Sequence, residues 1–177
     1  FRQCFRAARA QLESSLGIDG VLAFDAYVFL LKYFASTLPS NALSSFQAIC
    51  IGIFVVQLHL YQLKACRPTG LILFECFLRF CSSFFSDARC PSWRRLRGYT
   101  HCAIDLSLGG RLLPRLSSKW KCEIYLLAGE VQMQTRVGER MNVAHSIDPE
   151  AVCKAATEFL GRTCVLVDGR CTFKPSF

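Results

Sequence analysis

Lys32 interrupts an otherwise apolar stretch, YVFLLKYFA, and a polar turn, STLPSN, leads to Ser44, Ser45 and Phe46 just beyond it. A lysine near one helix end and two serines opening the next form a phosphate-binding combination. Free N–H groups and hydroxyls at a helix start donate to an anion, and the ammonium supplies countercharge. An aromatic ring one residue further on can stack on a nucleobase. The same residues also have plain structural readings. Lys32 can carry its charge to water along its own stem, and Ser44 can cap a helix. Spacing alone leaves both open.

The second feature with chemical direction is charge. Between residues 89 and 121 stand Arg89, Arg94, Arg95, Arg97, Arg111, Arg115, Lys119 and Lys121 against one acid, Asp105, so this segment holds +7 of the chain's +8. Positive charge concentrated in this way is the footprint of a polyanion, nucleic acid first. A solvated face, or a dock for an acidic protein, is the alternative. The chain has no Gly-rich phosphate loop, no HExxH, no GxSxG and no dinucleotide fingerprint. No two aspartates are separated by one residue, so a two-metal phosphoryl-transfer site is not encoded here. No catalytic residue and no metal ligand set is expected. The 11 cysteines include no CxxC pair and no histidine at zinc-finger spacing. Cys50, Cys76 and Cys81 fall in apolar helical runs, and the expectation is reduced core thiols in an intracellular protein.

Several helices must position these groups. Residues 2–16 read as a basic amphipathic helix with Gly17-Ile18-Asp19-Gly20 as its stop. A second helix covers 21–36 and ends at STLPSN, where Pro39 forces an extended approach. A third runs over about 43–63 with Ser44 or Asn41 as cap, and LILFECFLRFCSSFF is a fourth with a Phe-rich core face. The pattern then changes: THCAIDLSLGG, KCEIYLLAG and EVQMQTRV are strand candidates. Asp148-Pro149-Glu150 opens a last helix to about Leu160, with Asp148 as cap and Pro149 at its first position. RTCVLVDGR is expected to be a final strand and turn. The fold class expected is α+β, mainly α: a helical bundle with a small β-containing appendage. The division is a basic helix at 1–20, a main domain at 21–162 and an extension at 163–177.

The chain of 177 residues begins with Phe, which suggests a fragment or a processed chain, and no secretory signal stands at its start. The longest uncharged run, 33–63, is broken by Ser, Thr, Pro, Asn and Gln, so a buried bundle is expected and no membrane span.

LLKYFASTLPSNALSSFQAICIGIFVVQLH, GLILFECFLRFCSSFF, YTHCAIDLSLGG and MNVAHSIDPEAVCKAATEFLGR together resemble, in order, one family. It is the template-independent RNA nucleotidyltransferases of the DNA polymerase β superfamily, the poly(A) polymerase and terminal uridylyltransferase group. The likeness lies in its central and PAP-associated region and covers about 20–162. It rests on a lysine-aromatic helix, a serine-serine-aromatic corner, an aromatic-rich helix, a strand ending in Gly-Gly and an Asn-Val turn before the last helix.

The resemblance implies that Lys32 and Ser45 hold a nucleoside triphosphate, that Phe46 stacks on the base in place of the family's tyrosine, and that the basic segment lies along RNA. Gln134, Thr135, Asn142 and His145 fall on the base-recognition segment, in degenerate form. The second phosphate lysine of the family is Ser36 here, its Gly-Gly is Asn41-Ala42, and its arginine is His145. The palm domain with its catalytic aspartates has no counterpart in this chain, so Mg²⁺ would be held only by an upstream palm. Three readings follow: the central domain of an active enzyme, an inactive relative acting as an RNA- or protein-binding scaffold in a ribonucleoprotein, or a helical interaction module with a basic face. RNA is the expected partner, with a nucleoside triphosphate if the enzyme is active and with proteins of a larger complex. The setting expected is intracellular, mitochondrial over nuclear or cytoplasmic.

Overall fold

The computed structural model describes residues 1–66, 68–86, 99–106, 111–114, 121–127 and 140–166. Helix α1 (Arg2–Leu16) stops at Gly17, whose φ of 63° lies in the left-handed region open to glycine and whose N–H returns to the Glu13 carbonyl at 2.7 Å. The interruption is one residue long. Asp19 and Gly20, expected in the stop, instead belong to the first turn of α2 (Ile18–Thr37). That helix ends where expected: Leu38 is extended at ψ 157°, as a residue before proline must be.

Helix α3 (Ser45–Cys66) returns antiparallel to α2, and α4 (Gly70–Phe84) follows, capped by Thr69, whose hydroxyl accepts from the Ile72 N–H at 3.3 Å. Helix α2 meets α3 closely at Gly52. A Cβ there would collide with the Leu31 side chain, and the buried Tyr27 hydroxyl donates to the Gly52 carbonyl at 3.2 Å. Small size at Gly52 sets the approach of the two helices. Burial pushes the Tyr27 phenol well above its ordinary range, so it stays a donor.

Phenylalanine fills the rest. Phe34 of α2 sits edge-on to Phe77 of α4 at 5.5 Å and to Phe159 of α5 (Pro149–Leu166) at 5.4 Å. Lower on α4, Phe80 meets Phe54 of α3 at 5.4 Å and stacks on Phe84 at 5.0 Å. Each ring contributes its buried area plus the edge-to-face preference. Helix α4 is therefore the central member, touching α2, α3 and α5. Cys50, Cys76, Cys81 and Cys122 are buried in this core as small apolar groups.

The β part is one four-stranded mixed sheet in the order β2-β1-β3-β4. Strand β1 (Cys102–Asp105) pairs antiparallel with β2 (Arg111–Pro114) and parallel with β3 (Ile124–Leu127), which pairs antiparallel with β4 (Arg140–Asn142). Ile104, Leu106, Ile124 and Val143 join the helical core, so one face of the sheet closes the bundle. The architecture is α+β and mainly α, as the sequence indicates. Strands β2 and β4 were not foreseen. The strand expected over 162–170 is overturned through Leu166, because α5 continues to that residue. The strand candidate at 130–137 lies outside the described residues. Among the described residues no helix is long and apolar enough to cross a membrane.

Two outcomes test the core. Phe34→Ala should destabilise the fold by about 4 kcal/mol in urea titration, whereas Tyr27→Phe should lose only about 1 kcal/mol, the worth of one hydrogen bond. Burial pushes the Cys50 thiol up to about 12 and the Cys81 thiol upward too. Since the thiolate is the reactive form, both should stay unalkylated by iodoacetamide at pH 8 in the native protein. Mass-spectrometric mapping should find them modified only after unfolding.

Candidate functional site

The region singled out by sequence is the corner between α2 and α3. Ser44 is the helix cap, and its partner is Gln47. The Gln47 N–H donates to Ser44 Oγ at 3.2 Å, and the Ser44 N–H donates to Gln47 Oε1 at 2.8 Å. This is a reciprocal capping box. The same glutamine amide then turns inward. Its Nε2 donates to the Val143 carbonyl at 2.8 Å and to Ser146 Oγ at 3.0 Å. One buried side chain therefore binds the start of α3 to a turn almost a hundred residues later. The Asp148 N–H adds a second tie, donating to the Ala42 carbonyl at 2.9 Å.

That turn is shaped by Asn142. Its Oδ1 accepts from the Ile124 N–H at 3.0 Å and the Ala144 N–H at 2.9 Å, and its Nδ2 donates to the Cys122 carbonyl at 3.2 Å. The amide is half-buried and bound to three backbone groups. Asp148 then caps α5, accepting from the Glu150 and Ala151 N–H groups at 3.1 and 3.3 Å. His145 is exposed in the turn.

Of the groups assigned to phosphate and base, Lys32 lies on α2 and Ser45 and Phe46 open α3. Lys32 and Ser45 are both exposed, and neither side chain is hydrogen-bonded among the described residues. Ser36, which stands at the family's second lysine position, is exposed and turns its hydroxyl back to the Tyr33 carbonyl at 2.7 Å. Phe46 is 40% exposed, but its ring packs on Phe1 at 4.7 Å, and Phe1 leads through Phe5 to Phe24 in the core. Helix α1 thus occupies one side of the aromatic platform, which nothing in the sequence reading anticipated.

Of the basic segment, Arg111 and Lys121 lie among the described residues and both are exposed. Arg111 Nε donates to Asp105 Oδ2 at 3.5 Å, across the β1–β2 pair in which the two residues are in register. Arg111 thus already faces the one acid inside the segment. Asp105 and Glu123 are fully buried carboxylates, and strand register puts them on the same face of the sheet, opposite Ile104 and Ile124. Arg89, Arg94, Arg95, Arg97, Arg115, Lys119, Gln134 and Thr135 lie outside the described residues. No group of three or more His, Cys, Asp or Glu suited to a metal ion occurs among the described residues.

No protein-family model, no curated protein and no solved structure matches this chain. The likeness to RNA nucleotidyltransferases therefore stands on the ordered motifs themselves.

Gln47 was not singled out by sequence, although Ser-x-x-Gln ahead of an apolar run is a recognised helix-start signature. Gln47→Ala should destabilise the protein by about 3 kcal/mol, since it leaves buried backbone groups without partners. Asn142→Asp keeps the accepting oxygen and loses the donor to Cys122, so chemical denaturation should rank it between wild type and Asn142→Ala.

Proposed function

We propose that this chain is a nucleotidyltransferase-like domain that acts as an RNA-binding scaffold in a ribonucleoprotein, without catalysis of its own. One observation carries the reading: two of the groups that would handle a base, Phe46 and Asn142, are already engaged by the protein. The Phe46 ring packs on Phe1, and the Asn142 amide is bound to three backbone groups. A base platform whose members hold the fold together is poorly placed to exchange nucleotides. The sequence also concentrates charge, +7 within residues 89–121, and charge is the term that dominates nucleic-acid affinity. The setting that fits this composition is intracellular, mitochondrial in the first instance.

A second reading is supported by Lys32 and Ser45, which are exposed and without hydrogen bonds among the described residues. On that reading the chain is the central domain of an active enzyme whose palm lies elsewhere. Lys32 and Ser45 would hold the triphosphate while the 3′-hydroxyl of an RNA attacks the α-phosphate and pyrophosphate leaves. Mg²⁺, bound by that palm, would supply charge neutralisation at the reacting phosphate.

The two readings separate in solution. Scaffold function predicts RNA binding with a log–log salt slope of about −3 to −5, at roughly 0.7 per phosphate contact on a single strand. Replacing Arg94, Arg95 and Arg97 together with alanine should flatten that slope by about 2. No saturable binding of UTP or ATP with Mg²⁺ is expected in calorimetry. Saturable binding that Lys32→Ala abolishes would establish the second reading and overturn the first.

A further inference from the structure

Helix α2 is apolar on all sides, and one of those sides is bare. Ile18, Leu22, Phe29 and Tyr33 are 69, 61, 70 and 54% exposed. At 100° per residue they fall within about 60° of arc, with Ala26 beside them, so they form one stripe along the outward face. Together they put on the order of 500 Å² of apolar surface into one strip, at the upper end of what a monomer leaves bare. That is well over half of the roughly 800 Å² that one partner brings to a stable dimer.

Three charges border this stripe: Asp25 and Lys32 along its flank toward α1, and the exposed Asp19 on the opposite flank, at the edge of a depression. Asp25 meets Arg9 at 3.3 Å, with both side chains exposed, and Lys32 has no ion-pair partner among the described residues. The opposite flank holds a depression of about 660 Å³, lined among others by Leu22, Ala23, Ala26, Thr69 and Gly70. Leu71, 49% exposed, extends the apolar surface there.

We propose that this face is a homodimer seam, in which a second copy of the chain lays its α2 antiparallel across the first. The occupant is set by charge order. A two-fold axis lying in the contact plane and perpendicular to the helices reverses direction along α2 but keeps each flank on its own side. The charged flanks then meet, and Asp25 of each copy faces Lys32 of the other. That pairing fixes the axis midway between the two residues, between Val28 and Phe29.

The same axis determines everything else along the seam. The Phe29 rings come together at the centre. Tyr33 of the second copy falls level with the gap between Leu22 and Ala26, on the flank where the depression opens. Leu22 in turn fits between the second copy's Tyr33 and Ser36. The apolar knobs interdigitate, and the ring goes where the surface has room for it. The axis placed by pairing Asp25 with Lys32 also suits the spacing of the exposed apolar residues and the position of the cavity.

The test is sedimentation velocity of the full chain between about 1 and 100 µM. The wild type should show a reversible monomer–dimer equilibrium. Asp25→Lys and Lys32→Asp should each raise the dimer Kd at least tenfold, and the double exchange should bring it back to within about threefold of wild type. Phe29→Asp should abolish the dimer, with the helical circular dichroism of the wild type kept as proof of folding. A monomer throughout the range would overturn the proposal and assign the face to a different protein or to another part of a longer chain. So would a dimer indifferent to Phe29→Asp, or one that the double exchange fails to restore. None of these outcomes depends on RNA or nucleotide binding.

Discussion

The carboxamide of Gln47 is the contact on which the arrangement of this domain turns. A buried amide has two donors and an acceptor to satisfy, and here every direction is used for joining. The oxygen closes the cap of α3, and the nitrogen holds the turn that leads from the last strand into α5. Because α3 is held to α2 through Tyr27 and Gly52, and α5 to α4 through Phe159, fixing the turn fixes the sheet on the bundle. The α2–α3 corner is thereby rigid. Rigidity at a corner that carries Lys32 and Ser45 suits either of two purposes, holding an anion in place or presenting a constant surface to a partner.

Those two purposes compete for the same lysine. An exposed lysine on a helix is ordinary in itself, so what it serves is read from the residues around it. If Lys32 faced a nucleotide cleft, its neighbours Phe29 and Tyr33 would be expected to turn toward that cleft or into the core. They are instead the most exposed aromatics of the helix and lie beside it on the same stripe. The company Lys32 keeps is that of a protein–protein seam, where a charge beside apolar contacts sets register and partner choice.

Much of the fold is legible in the sequence because its boundaries are written in local chemistry. Gly17 ends α1, Pro39 ends α2, and Asp148-Pro149 starts α5, each by a mechanism confined to a few residues. What was misread depends on distant partners. RLLP carries no strand pattern of its own and becomes β2 only by pairing with β1. RTCVLV has β-branched residues that suggest a strand, but its first five residues continue a helix already nucleated at Asp148. The site divides in the same way. The exposure of Lys32 and Ser45 follows from their types, whereas the contact of Phe46 with Phe1 and the turn-forming role of Asn142 arise only when segments far apart in sequence meet.

The placement of α4 at the centre has a consequence in time as well as in space. Its Phe74 and Phe77 are covered on one side by Phe34, which precedes them, and Phe159 of α5 closes over Phe34 and Phe74 only much later in the chain. About 75 residues separate the end of α4 from that ring, so a ribosome adding ~5–20 residues per second needs roughly 4–15 seconds to supply it. For that interval Phe34 and Phe74 lack the ring that covers them in the finished fold, and the most basic part of the sequence is still being made. A chain cut short before α5 would keep that side of the two rings bare, with the exposed aromatic surface that favours aggregation.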